Sequence, residues 1–149
     1  MPCGALPWEL SAPPANGRWQ RGQVAPALYF ADSEETVLAE SARLIRELGA
    51  MPEGFLPRDL WRAEIDDREY IDLRDPRIAA KYKVPVSLRP TRSDWPNCQP
   101  IGERIAGDGH KGTIAPSAAR ANGSTVAVFP AGIDDIKRTA QRLKRLASL

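Results

Sequence analysis

Two cysteines and one histidine are all that the 149 residues hold of thiolate and imidazole metal ligands. Cys3 and Cys98 lie far apart, so neither a disulfide framework nor a zinc site is supported, and no metal is expected. The one histidine, His110 in "GDGHKG", gives no support to a serine nucleophile with a histidine base, and it reads as a loop residue. Long apolar runs are also missing. Nothing approaches the length of a membrane span, and "MPCGALPWEL" has neither the basic nor the apolar region of an export signal. No membrane contact is expected, and the cytoplasm is the expected location. Charge of one sign is scarce too: 21 basic against 19 acidic side chains leave +2. That is too balanced for a general nucleic-acid binder, so any cationic function is local.

What is present fits one compact domain, since 42% of the chain is hydrophobic and the length supplies a single core. Residues 1–15 are rich in proline and lack periodicity, which predicts an irregular arm ahead of a folded domain over 16–149. "VAPALYFA", 24–31, reads as a strand with Ala27, Tyr29 and Ala31 on one face and Leu28 and Phe30 on the other. A helix is predicted from about Ser33 to Leu48. Asp32 and Glu35 stand at capping-box spacing, and Val37, Leu38, Ser41, Leu44, Ile45 and Leu48 form its apolar stripe. "DLWRAEID" and "EYIDLRD" read as two strands around a polar turn at Asp67-Arg68. "PRIAAKYKV" predicts a short helix, "RPTRSDWPN" a loop, and "PIGERIAG" one or two helical turns ending near Gly107 and Gly109. "GTIAPSAA" and "STVAVFP" read as strands bracketing "RANG", with Asn122-Gly123 as a tight hairpin turn rather than a glycosylation acceptor. Ile136, Ala140, Leu143 and Leu146 recur at helical spacing and predict a C-terminal helix. The expected class is α+β, with small mixed sheets and about three helices.

The stretch "NGRWQRG", 16–22, sets Arg18 and Arg21 around Trp19 between two glycines, a locally cationic loop just before the first strand. Tyr29 follows within that strand, among small neighbours that leave room for something flat. Glu40 falls beside the apolar stripe of the helix, at the edge where clefts form. A loop, a strand and a helix thus converge. Read in isolation, Glu40 is a surface glutamate paired with Arg43 one turn on.

In that order and spacing, "NGRWQRGQVAPALYFADSEETVLAE" resembles the opening signature of the RES domain family, where a glycine-arginine-tryptophan loop leads to a strand tyrosine and a helical glutamate. "GTIAPSAARANGSTVAVFP" is similar to that family's later proline-serine segment. The family's Arg, Glu and Ser would here be Arg18, Glu40 and Ser117. Members usually carry another arginine ahead of the loop, and residues 1–15 have none. "DWPNCQPIG" only loosely resembles the family's middle segment, and no role is carried onto Gln99 or Gly102.

The resemblance implies an ADP-ribosyltransferase-like fold, NAD+ as substrate and the toxin role in a bacterial toxin–antitoxin pair. On that footing Arg18 would meet the diphosphate with its planar fork of donors, and Arg21 would add positive potential. Tyr29 would offer a flat face to nicotinamide or ribose. Trp19 would either stiffen the loop from below or stack on the ligand. Glu40 would face the positive charge that builds on the ribose as the nicotinamide bond breaks, and Ser117 would supply a positioning hydroxyl. Protein side chain, phosphate and water all stay open as ADP-ribose acceptors. The partner would be an Xre-like helix-turn-helix antitoxin covering the site, with any DNA contact on that partner. The competing reading is a non-catalytic module whose basic C-terminal helix, with Lys137, Arg138, Arg142, Lys144 and Arg145, docks an acidic partner or nucleic acid.

Overall fold

The computed structural model describes residues 6, 8, 15–85 and 91–148. The irregular arm expected over 1–15 therefore falls mostly outside the described residues. Strand β1 is Leu28–Ala31, shorter than predicted because it starts only beyond Pro26. Helix α1 is Glu34–Glu47. Its cap is Ser33 rather than Asp32: the Ser33 hydroxyl accepts the Thr36 N–H, while the Asp32 carboxylate accepts the N–H of Ser124 across the sheet. Glu34 and Glu35 then sit in the first turn, where the helix dipole favours them.

Beyond α1 come β2 (Arg58–Arg62), β3 (Ile71–Asp72), α2 (Pro76–Lys81), α3 (Trp95–Gly107), β4 (Gly112–Pro116), β5 (Ser124–Val128), α4 (Ile133–Thr139) and β6 (Gln141–Leu146). Four strands form a mixed sheet in the order β1-β5-β4-β3, antiparallel except for the β3–β4 edge. β2 and β6 make a separate antiparallel ribbon.

The central strands β4 and β5 are buried on both faces, which is why "GTIAP" and "STVAV" read as nearly continuous apolar runs. One face carries Ala115, Ala127 and Phe129 against Trp19 and against Cys98 and Ile105 of α3. The other carries Leu28, Ile114, Val126 and Val128 against Tyr70 and Ile136. Ala27 packs with the first group and Leu28 and Phe30 with the second, the alternation read from "VAPALYFA".

Several expectations are corrected. β2 and β3 do not pair with each other, because each finds a partner far along the chain. The segment taken as a loop over 89–97 already enters α3 at Trp95, with Pro96 in the first turn where its missing N–H costs nothing. Pro100 sits within α3 and forfeits one backbone hydrogen bond. β4 stops at Pro116, so Ser117 lies in a turn. Asn122 (φ 60°) and Gly123 close the longer loop 117–123, whose ends are held by Ser117 N–H on the Gly123 carbonyl at 2.8 Å. Four helices, not three, occur among the described residues.

The largest correction is the C-terminus, where the predicted helix is the short α4 followed by the strand β6. Thr139 ends the helix: its hydroxyl donates to the Asp135 carbonyl at 2.8 Å and accepts the Glu64 N–H at 3.0 Å, pinning the chain beside the end of β2. From there the backbone pairs with β2, and buried Asp59 draws Arg142 (3.6 Å) and Arg145 (3.3 Å). Arg138 binds Asp135 and Lys144 binds Glu34, so the cations expected to form one helical face are distributed over acidic neighbours in the fold. Asp59→Ala is expected to cost about 1–2 kcal/mol in denaturant unfolding, less than a fully buried pair, because both arginines are half exposed and regain water.

Candidate functional site

The loop Gly17–Gln20 closes on itself through an antiparallel bridge, with Gly17 N–H donating to the Gln20 carbonyl at 2.9 Å. Beneath it stands the Tyr29 hydroxyl. It accepts the Trp19 N–H at 3.1 Å and donates to Gln20 Oε1 at 2.7 Å. Gln20, fully buried, completes the set by donating from Nε2 to the Ala15 carbonyl at 3.0 Å. A side chain at position 17 would overlap the Tyr29 hydroxyl, so the loop needs glycine there. Burial pushes the tyrosine pKa well above its usual value, which keeps the hydroxyl a donor across the physiological range. The hydroxyl is thereby committed inside the protein, although 44% of the residue as a whole is exposed.

Helix α3 clamps the same loop from the other side. Gln99 Nε2 donates to the Gly17 carbonyl at 3.0 Å, and Gly102 faces the Trp19 main chain so closely that a Cβ would overlap its carbonyl oxygen. Glu103 receives the Arg21 N–H, Nε and Nη2 at 2.9, 2.9 and 3.0 Å. The Arg21 hydrogen bonds hold the Glu103 carboxyl below its usual range. The pair's contribution is therefore complete above the unfolded-state pKa of glutamate and is lost as pH falls through the depressed folded value. Glu103→Gln is expected to flatten the acid side of a stability-versus-pH curve, as followed by thermal unfolding.

Arg18 projects from the turn toward β4. Its Nη1 donates to the Pro116 carbonyl at 3.2 Å and its guanidinium lies 4.7 Å over the Trp19 ring, while its Nε is buried and has no partner among the described residues. The next residue, Ser117, donates from Oγ to Glu40 Oε1 at 2.7 Å and accepts the N–H groups of Ala119 (3.1 Å) and Arg120 (3.0 Å). The other oxygen of Glu40 lies 3.8 Å from Arg43, so the expected helix pair is present but long. Arg120 reaches back to Thr36 Oγ1 at 3.2 Å, tying the 117–123 loop to α1.

Ser117 and Glu40 are thus bonded directly, and Arg18 and Tyr29 are linked to them through neighbouring residues, Tyr29 by way of the Trp19 N–H and Arg18 by way of the Pro116 carbonyl. Of the two roles open to Trp19, the geometry fits the packing one, and Arg21, expected to add positive potential near a ligand, is engaged elsewhere. Trp19 is 1% exposed, packed in the core with its ring under Arg18, so it forms the floor of the loop. Arg21 is bound to Glu103 and acts as a fastener. Gln20, Gln99 and Glu103 were not foreseen as site residues. The signal for two of them was the spacing of Gln99, Gly102 and Glu103, which share one face once α3 is read as a helix from Trp95.

A groove of about 260 Å³ separates β1 and α1 from β2, and a larger cavity of about 550 Å³ lies between the start of α1, β2 and the other face of the sheet. Neither is lined by Arg18, Glu40 or Ser117; of the four, only Tyr29 borders the first. Among the described residues no group of three or more His, Cys, Asp or Glu is placed to hold a metal ion, and no helix is long and apolar enough to cross a membrane.

The class is an α+β domain whose mixed sheet seats a glycine-arginine turn against an edge-strand tyrosine, and this architecture has a solved counterpart. A chain in the crystal structure of the M. tuberculosis MbcT–MbcA toxin–antitoxin complex matches it with a TM-score of 0.68, covering 91% of this chain and 73% of that one at 21% identity, a likeness of fold. The RES domain family matches residues 5–146, and the chain belongs to that family. No curated protein matches the sequence.

Proposed function

We propose that this chain is the toxin of a toxin–antitoxin pair, an enzyme that takes NAD+ as substrate, breaks its nicotinamide–ribose bond and passes ADP-ribose to an acceptor. The observation that carries the reading is the Ser117–Glu40 hydrogen bond, one residue along from the carbonyl that holds Arg18. An anchored carboxylate and a guanidinium then stand at neighbouring points of the same turn.

Arg18 is stiffened by Trp19 and by the Pro116 carbonyl, and its planar, charged guanidinium suits an anionic oxygen of the diphosphate. Tyr29 presents its ring for stacking, its hydroxyl being spent on the loop. When the glycosidic bond breaks, nicotinamide leaves with the bonding electron pair and becomes neutral. Positive charge develops on the ribose, where Glu40 stabilises it. Ser117 holds Glu40 in place, and its own lone pairs are occupied by two backbone N–H groups, so it positions and does not attack. The new bond at the ribose carbon comes from an acceptor oxygen or nitrogen that gives up its proton.

A protein side chain, phosphate or water each satisfies that last step. Incubation of the purified chain with NAD+ labelled in the adenylate, in phosphate buffer and in cell lysate, separates them. A labelled protein band marks protein modification, a labelled ADP-ribose phosphate marks phosphorolysis, and free ADP-ribose marks hydrolysis. No nicotinamide release in any of these removes the enzymatic reading. An Xre-like helix-turn-helix antitoxin that covers the site is the proposed partner, and the cytoplasm the proposed place of action. The alternative docking module loses its main support, since the basic helix it required is a short helix and a strand, with Arg138, Arg142, Lys144 and Arg145 paired to acidic side chains.

A further inference from the structure

β1 is an outer strand of the sheet: among the described residues it pairs with β5 on one side and with no strand on the other. Asp32 donates its N–H to the Ser124 carbonyl at 3.0 Å, which sets the parity of the ladder. Leu28, Phe30 and Asp32 turn their main-chain groups toward β5, so Tyr29 and Ala31 turn theirs outward. Among the described residues no hydrogen bond reaches those outward groups.

The open edge forms one wall of the 260 Å³ groove, and residues 58–61 of β2 form the wall opposite. Between them the lining is mostly apolar, with Val37, Leu44 and Ile45 from α1 and Phe55, Leu56 and Leu60 from the β2 side, and with Ser41, Arg58 and Asp59 as its polar members. Natural edge strands are blunted by shortness, lysine, proline or a bulge. Leu28–Ala31 is short but carries none of the other three, and its register with β5 is unbroken. Unpaired amide groups beside apolar walls are the recognition surface for an added strand, the main chain giving affinity and alternate side chains filling the walls.

We propose that this edge and groove receive one extended, apolar-alternating segment of a partner protein, which pairs with Tyr29 and Ala31 as an additional strand. Residues 58–61 of β2 form the opposite wall, so the edge is met inside a groove, which an extended segment enters more readily than the edge strand of a second folded copy with its own β2 ribbon. In naming the partner the inference rests on the toxin reading, where the segment belongs to the antitoxin; the binding surface itself does not depend on NAD+ cleavage. Tyr29 gives its main chain to this edge and its ring to the catalytic site, so a bound segment borders that site.

The test uses the full chain and, as probe, a seven-residue capped peptide alternating valine with threonine between terminal lysines. Binding is read by fluorescence anisotropy and by amide hydrogen exchange. The expected result is saturable binding, with exchange at the Tyr29 and Ala31 amides slowed at least tenfold in the complex. Ala31→Pro removes one outward N–H yet keeps every bond to β5, and it is expected to weaken binding at least tenfold with NAD+ turnover unchanged. If that variant fails to fold, Leu44→Lys places a charge in the groove and is expected to weaken binding similarly. Equal binding by wild type and variant, no saturable binding, or protection confined to other strands each overturns the proposal. So does protection of the two amides in the free chain, whether it grows with protein concentration, which marks a second copy, or is constant, which marks the chain's own arm. Loss of NAD+ turnover by the wild type with peptide binding intact would remove the catalytic reading and leave this surface standing.

Discussion

Glu40→Gln is expected to lower nicotinamide release from NAD+ by about 10²–10³-fold, the scale seen when one preorganised electrostatic group is removed from a site of charge development. Glutamine keeps the shape and can still accept the Ser117 hydroxyl at its amide oxygen, so the 117–123 loop stays on α1. What disappears is the negative charge that faces the ribose cation. The expected signature is a fall in kcat with KM nearly unchanged, because the neutral amide contributes as much to the ground state as the carboxylate did. Growth inhibition on expression falls in parallel. A variant that folds normally and turns over NAD+ at the wild-type rate would show that Glu40 is a surface residue that happens to touch Ser117.

Gly102→Ala is expected to destabilise the protein and to cripple the site together. In most helix interiors this change stabilises by about 1 kcal/mol through propensity. At position 102 the new methyl would overlap the Trp19 carbonyl, and the obstacle is main chain rather than a yielding side chain. Overpacking of that kind costs about 1–3 kcal/mol, so the clash outweighs the propensity gain. The Trp19 segment must move away from α3, which disturbs the Tyr29 hydroxyl bond and the seat of Arg18. Thermal unfolding and NAD+ turnover are both expected to fall. Gly107→Ala, in the same helix with nothing within 4 Å of the added carbon, serves as the control and is expected to be neutral or slightly stabilising.

Much of the sheet and the four converging residues were legible because each announces itself over a short range. Alternation named the faces of β1, acidic residues marked the start of α1, and the order of Arg18, Tyr29 and Glu40 carried the family signature. What escaped was decided by partners distant in the chain. The apolar spacing of Ile136, Ala140, Leu143 and Leu146 is a true helical pattern, yet Thr139 bonding to Glu64 and the demand of buried Asp59 for counter-charges turn its second half into β6. Trp95 looked like part of a proline-rich loop, and only its packing in α3 places Gln99, Gly102 and Glu103 along the turn. Trp19 and Arg21 have the chemistry of ligand contacts. Nothing in the local sequence states that the core claims one and Glu103 the other.

The order of strands in the main sheet has a consequence for synthesis. β1, near the beginning of the chain, does not lie beside β4 but is separated from it by β5, residues 124–128. A nascent chain that has emerged only as far as Ser117 therefore carries Arg18, Tyr29, Glu40 and Ser117 without the strand that bridges them. Such long-range closure is slow compared with local helix formation. Under the proposed function, no stretch of chain made before β5 can consume NAD+, so catalytic competence waits for residues 124–128.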